Sequence, residues 1–157
     1  MSLKIKQELK EMWPIISEVL SSGGEFCLNP NGHSMLPLIR PGIDMVTIVS
    51  PTELENDDIV LYVRESGQFV LHRLIKTKKG FCTMFGDNQK ALEPKIPLKN
   101  VLAKVKYIHR DGNVIDFNSK EYKKYVKKIH RRINFYRFPV FMSKIKNKIF
   151  KKKSTSK

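Results

Sequence analysis

The stretch Asp57–Phe85, DDIVLYVRESGQFVLHRLIKTKKGFCTMF, alternates short apolar runs with turn residues. The runs are rich in β-branched and aromatic residues, which favour strands. Ser66-Gly67 and Lys79-Gly80 stand between the runs, and glycine after a polar residue is typical of tight turns. This stretch therefore predicts two consecutive β-hairpins.

Comparable runs lie on both sides of this stretch. FCLNP and DMVTIVS precede it and VLAKVKYIH follows it, and turn residues bound them at Pro41-Gly42, Gly86-Asp87-Asn88 and Asp111-Gly112. Short strands separated by such turns predict a mainly antiparallel β domain, which we place at residues 25–118.

Helical spacing of apolar residues flanks the β-rich part. Residues 1–24 form a predicted N-terminal helical segment, in which we expect Pro14 to break the helix or to begin a second turn. Residues 119–157 form a predicted basic amphipathic helical tail, whose end we expect to be disordered. Its first apolar stripe consists of Tyr122, Tyr125, Val126, Ile129 and Ile133.

The positive charge of the chain is concentrated in the tail. The net charge is +15, and residues 120–157 carry 15 Lys and Arg against one acid, Glu121. Such asymmetry predicts an anionic partner. We expect an anionic membrane surface to bind Tyr122–Lys153. The other interpretations are a helix that packs on the β domain with solvated lysines, and nucleic-acid binding, which no recognised module supports.

The two cysteines and the apolar runs limit the cellular setting. Cys27 and Cys82 lack metal-site spacing and do not predict a disulfide framework, so we expect two reduced and mostly buried thiols, with no metal and no cofactor. No run approaches the roughly 20 apolar residues of a spanning helix, and no signal-peptide core is recognisable. We therefore predict a cytoplasmic protein, with contact at the membrane surface as a further expectation.

Three polar residues stand out as candidates for chemistry. Ser34 lies in the turn-rich stretch Asn29–Gly42, NPNGHSMLPLIRPG, and a serine nucleophile needs a base. His72 shares one strand face with apolar neighbours, which predicts partial burial as either a core histidine or a general base. Asp87 follows Gly86 in a turn, and it is either a turn residue or the partner of that base.

Five segments occur in an order that resembles the S24/S26 serine peptidase superfamily, and within it the type I signal peptidases. They are GHSMLP, DDIVLYV, VLHRLI, FGDNQ and VLAKVKYI, and the resemblance covers residues 32–108. It implies a coiled antiparallel sheet or partial barrel. His72 stands where bacterial-type members have lysine, so the sequence is most similar to the endoplasmic-reticulum, archaeal and spore-former type.

The resemblance implies a role for each matched residue. Ser34 would attack the scissile carbonyl, His72 would act as general base, and Asp87 would hold the imidazole. Arg73 is interpreted as part of a structural ion pair. Three further matched residues would shape the nucleophile turn and its substrate cleft: Gly32, Met35 and Pro37. The usual Pro-Gly-Asp sequence is interrupted here by Ile43.

Two hypotheses about function follow. The first is a serine endopeptidase that cleaves a signal or leader peptide, and the resemblance implies substrates with small residues near the cleavage site, bound in extended form along a strand edge. With His72 as base, activity should rise near pH 6.5. The second is a non-catalytic module that binds a peptide or an anionic surface on a peptidase-like scaffold.

Overall fold

The computed structural model describes the backbone of residues 2–136 and the side chains of residues 9–136. Within this part, the chain divides after Phe117 into two compact units. The first unit contains an N-terminal helix and an antiparallel sheet, and the second contains a helix over residues 120–136.

Helix α1 spans Ser2–Ser21, and a pair of glycines, Gly23 and Gly24, follows its last turn. The N–H groups of Gly23 and Gly24 donate to the carbonyl oxygens of Leu20 and Val19, at 3.1 and 2.9 Å. Gly23 has a φ of 83°, a conformation that glycine adopts without steric cost. This arrangement is the Schellman motif, which satisfies the last carbonyl groups of the helix.

Pro14 lies inside α1 and the helix continues through it, so the predicted break is wrong. Pro14 is exposed, which leaves water free to bond the carbonyl that loses its helical partner. Packing further along the helix compensates for the local cost: Ile16 is fully buried, and the Trp13 ring centroid lies 5.5 Å from that of Phe69.

Eight strands form one open antiparallel sheet, which confirms the predicted fold class. The strands are β1 Phe26–Leu28, β2 Met45–Val49, β3 Ile59–Val63, β4 Phe69–Lys78, β5 Phe81–Phe85, β6 Glu93–Pro97, β7 Val101–Arg110 and β8 Asn113–Val114. Their order is β1-β2-β7-β3-β4-β5-β6, and β8 pairs with β7. Strands β1 and β6 are the edges of this order.

Both predicted hairpins are present. Between β3 and β4, the N–H of Arg64 donates to the carbonyl of Gln68 at 2.9 Å, and Gly67 has a φ of 76°. Between β4 and β5, Lys79 and Gly80 both have positive φ, at 50° and 76°. A two-residue turn of this type matches the twist of the strands that it joins.

One cluster of the apolar core is formed by residues of β3, β4, β5 and β7 and includes Cys82, whose exposed fraction is 1%. Cys27 is exposed because β1 is a short edge strand, so the prediction of burial is wrong for this thiol. Both cysteines are free, as predicted.

Helix α2 begins after Ser119, whose hydroxyl accepts a hydrogen bond from the N–H of Tyr122 at 3.1 Å and so caps the helix. Ile129 and Ile133 are buried, and the lysines of the opposite face are exposed. The second half of the predicted membrane segment Tyr122–Lys153 lies outside the described residues. Neither helix within residues 2–136 is long and apolar enough to cross a bilayer.

Candidate active site

Ser34 lies on a short 3₁₀ turn, His33–Met35, between β1 and β2. The Met35 side chain is buried beneath the turn, while Ser34 is half-buried. The main chain of this turn is held from one side by Asn88, whose N–H donates to the Ser34 carbonyl at 2.7 Å and whose amide donates to the His33 carbonyl at 3.1 Å. The serine is thus presented from a fixed backbone.

An ion-pair cluster holds the segment that follows the turn. Asp44 has an exposed fraction of 1% and accepts hydrogen bonds from Arg40 and Arg110. Burial alone would raise the pKa of Asp44, but the bonds from these arginines lower it to about 2. Arg110 also donates to the carbonyls of Pro37 and Leu38 at 2.9 and 2.6 Å. The extra residue Ile43 is exposed and leaves these contacts intact.

His72 lies in β4 with an exposed fraction of 1%. Its Nδ1 atom lies 3.0 Å from the Tyr62 hydroxyl, which in turn donates to Oε2 of Glu93 at 2.7 Å. Arg64 donates to both carboxylate oxygens of Glu93. A chain of hydrogen bonds therefore runs from the imidazole to a paired carboxylate.

This chain determines which nitrogen of His72 carries the proton. The hydrogen bond from Arg64 lowers the pKa of Glu93, so the carboxylate is ionised and can only accept. Burial raises the pKa of Tyr62, which therefore keeps the one proton that it donates to Glu93. The Tyr62 oxygen must then accept from Nδ1–H, and neutral His72 presents an unprotonated Nε2.

The Nε2 atom of His72 lies beside Gly86. A Cβ atom on Gly86 would lie 2.9 Å from Nε2, closer than side-chain atoms normally approach, so glycine keeps this space open. Among the residues that the structure describes, the hydrogen bond of His72 runs through Nδ1 and none is formed by Nε2. Because no buried side-chain nitrogen or oxygen among residues 9–136 lacks a partner, Nε2 retains contact with open space.

Burial lowers the pKa of His72 to about 4, a decrease that the nearby Glu93 carboxylate only partly opposes. The imidazole is therefore neutral throughout the physiological range. A rise of activity near pH 6.5, expected from the sequence, should accordingly shift to about pH 4. The cause is the loss of water around the ring, which penalises its charged form.

The same lowered pKa predicts how stability depends on pH. The unfolded chain protonates His72 below pH 6.5, whereas the folded chain does so only below about 4. Between these values the unfolded state holds more protons, so acidification lowers the free energy of unfolding, by about 2 kcal/mol from pH 7 to pH 5. Urea unfolding at both pH values measures this loss. The free energy of unfolding of a His72→Gln protein should fall less between pH 7 and pH 5 than that of wild type. An identical decrease in both proteins would contradict the lowered pKa of His72.

Asp87 does not contact His72 in the predicted way. Its carboxylate accepts two hydrogen bonds from Arg73, from Nε at 2.9 Å and from Nη2 at 2.6 Å, and both side chains are fully buried. The position assigned to Asp87 beside the imidazole is instead occupied by Tyr62 and Glu93. Arg73 thus forms the structural ion pair that was predicted for it.

The Gly86-Asp87-Asn88 turn therefore serves as a brace. Through Asn88 it bonds the nucleophile turn, and through Asp87 it bonds Arg73, which neighbours His72 in β4. Burying this ion pair requires close geometry, since an unpaired buried charge is costly. The brace fixes the two candidate catalytic residues to one framework.

Ser34 and His72 line the same cavity, which has a volume of about 800 Å³. Gly32 and Met35 also line it, whereas Pro37 and Asp87 do not. A Cβ on Gly32 would meet no neighbour, so packing does not explain glycine there. The structure thus brings together the predicted nucleophile, the predicted base and two of the three predicted cleft residues.

Sequence reasoning did not identify Tyr62 and Glu93. Tyr62 is detectable in principle: the register pairs Val60 with His72 and Tyr62 with Val70, which places the tyrosine on the same face as the histidine. Glu93 begins β6, on the far side of β5, and no local pattern connects it to His72.

The sheet, the braced serine turn and the buried histidine define a scaffold of the serine-peptidase class. The sequence model of the peptidase S24-like family matches residues 2–115, and the chain belongs to that family. No curated protein matches the chain. The predicted S24/S26 relationship is thereby confirmed at the level of the family.

Proposed function

We propose that the protein is a serine endopeptidase that cleaves a signal- or leader-type peptide, with Ser34 as nucleophile and His72 as general base. The observation that carries this proposal is the cavity that Ser34 and His72 both line, together with the Tyr62 contact to Nδ1 that leaves Nε2 of His72 unprotonated. The histidine-for-lysine subgroup that the sequence resembles is consistent with this choice of base.

In the proposed reaction, the Ser34 oxygen bonds to the scissile carbonyl carbon while its proton passes to Nε2 of His72. Collapse of the tetrahedral intermediate breaks the C–N bond, and the proton moves from Nε2 to the leaving amine. Water then attacks the acyl-enzyme by the same route and releases Ser34. While the imidazole is charged, its Nδ1–H bond to Tyr62, and through it to ionised Glu93, stabilises the cation.

The substrate is proposed to bind as an extended strand beside β1. This strand pairs only with β2 in the described sheet, so its other edge offers unpaired backbone groups. Phe26, Cys27 and Leu28 all line the cavity that contains Ser34. A peptide added to this edge would therefore pass the nucleophile.

The test is to incubate the protein with a library of leader-like peptides and to identify new termini by mass spectrometry. A serine-directed phosphonate should in parallel label Ser34 and no other serine, because among the described serines only Ser34 lines a cavity with an unprotonated imidazole. We expect discrete cleavage sites and a single modified residue. Absence of cleavage together with labelling spread over several surface serines would contradict the proposal.

A binding module without hydrolysis is the second candidate. One observation favours it: Ser34 Oγ and His72 Nε2 make no hydrogen bond to each other in the described part of the chain. The endopeptidase accounts for the same observation, because catalytic hydrogen bonds often form only when substrate is bound. Saturable peptide binding without new termini would identify the binding module.

A further inference from the structure

One wall of the cavity that contains Ser34 is made by helix α1. Leu9, Met12 and Ile16 line the cavity and recur at spacings of three and four residues, so they share one face of the helix. Ile16 is fully buried, and Trp13 packs on Phe69 of β4. The helix is therefore anchored to the sheet while this face borders the cavity.

The facing walls are also apolar. They include Phe26 and Leu28 of β1 together with Phe69 and Leu71 of β4. Met12 retains 44% exposure although it lies on this wall, which means that part of its side chain is available to a bound molecule. Methionine adapts its shape to apolar partners and is common at binding surfaces.

The cavity is large enough for several residues of an extended peptide, since about 800 Å³ lies in the range of pockets that enclose a drug-sized ligand. An alanine methyl group beside α1 would leave most of the apolar wall against water, whereas a larger apolar side chain would cover it. The small residues that the resemblance implies near the cleavage site occupy a different part of the same bound peptide.

We propose that α1 is a specificity wall, and that the substrate carries a bulky apolar side chain, of leucine, methionine or phenylalanine type, at the position where the bound peptide passes α1. This inference rests on the proposed peptidase function of the same cavity. Met12 is its specificity-determining residue, because among the described side chains of α1, from Leu9 onward, it is the exposed apolar one that lines the cavity.

The experiment compares two proteins, Met12→Trp and Ile15→Trp, with wild type. Ile15 is 64% exposed on the same helix and does not line the cavity, so it is the matched control. Peptides are supplied in pairs that differ only by alanine or phenylalanine at each position around the cleavage site. The readout is the ratio of kcat/KM for the two members of a pair, with circular dichroism as the check on folding.

Wild type should prefer the phenylalanine member at one position by about 10-fold or more, the size of effect that apolar pockets achieve. Met12→Trp fills part of the cavity and should lower that ratio by about 10-fold, whereas Ile15→Trp should leave it unchanged. Preference for alanine at every position, or equal ratios in the two variants, would overturn the inference.

Binding separates this inference from the proposed function. Peptide affinity is measured by fluorescence anisotropy on Ser34→Ala proteins with and without Met12→Trp, which requires no hydrolysis. A preference for the bulky peptide that Met12→Trp removes supports the specificity wall even where no cleavage occurs. Cleavage with no side-chain preference in kcat/KM or affinity refutes the wall and leaves the peptidase function standing.

Discussion

A Ser34→Ala protein is expected to lose hydrolysis of any peptide that the wild type cleaves, by a factor on the order of 10⁴ or more. The reason is chemical: alanine has no oxygen with which to form the acyl-enzyme. His72→Gln should cost a comparable factor, because an unassisted serine hydroxyl is a weak nucleophile at neutral pH. The double variant should be no worse than either single one, since the two residues act in one step. Rates of product formation under single-turnover conditions measure all three.

Two control variants isolate the effect. Ser66→Ala removes an exposed serine hydroxyl from the β3–β4 turn, and His33→Gln removes the exposed imidazole next to Ser34 in sequence. Ser66→Ala should retain the wild-type rate, and His33→Gln, whose side chain lines the cavity but is not the proposed base, should lose far less rate than His72→Gln. If His33→Gln instead matches the loss in His72→Gln, the base has been assigned to the wrong histidine. Equal cleavage by Ser34→Ala and wild type would exclude the serine mechanism.

The fold was largely predictable because its signals are local. Strand runs and turn residues within Asp57–Phe85 each favour a structure that the sheet contains, and the hairpins join neighbours in sequence. Where tertiary packing decides, prediction was less successful. Pro14 is accommodated because the rest of α1 packs on the sheet, and Cys27 is exposed because β1 has a partner on one side only.

The candidate site was predictable for side chains that strand alternation or a short motif identifies. His72 lies on the buried face that alternation from Phe69 predicts, and Ser34 lies in a distinctive turn. The partner of the imidazole was not predictable, because it is set by the juxtaposition of β3, β4 and β6. Asp87 has the residue type expected of that partner. Its carboxylate instead accepts hydrogen bonds from Arg73, which follows His72 in β4 and lies on the opposite face of the strand. The membrane partner of Tyr122–Lys153 stays a prediction.

Replacing Asp87 by alanine should destabilise the fold more than it impairs the chemistry. The change leaves Arg73 charged, fully buried and without its carboxylate, and breaking a buried ion pair in this way costs about 3–5 kcal/mol. Arg73→Met should cost less than Asp87→Ala if the remaining carboxylate keeps neighbouring donors, and the double variant should recover part of the loss because no unpaired charge remains. Chemical denaturation monitored by circular dichroism measures these differences, and the double-mutant cycle gives the coupling of the pair.

Activity per folded molecule distinguishes a structural role of Asp87 from a catalytic one. Without denaturant, the activity per folded molecule should fall little in Asp87→Ala. Tyr62→Phe breaks the hydrogen-bonded link between His72 and Glu93, so it should lower kcat while costing less stability than Asp87→Ala. The exposed pair Glu25–Lys106 provides the matched control, since Glu25→Gln should change stability far less than Asp87→Ala because exposed ion pairs contribute little. A large loss of kcat in Asp87→Ala at unchanged stability would instead return Asp87 to the catalytic set. In that case the Arg73 ion pair would have to open during the reaction so that the carboxylate could reach the imidazole.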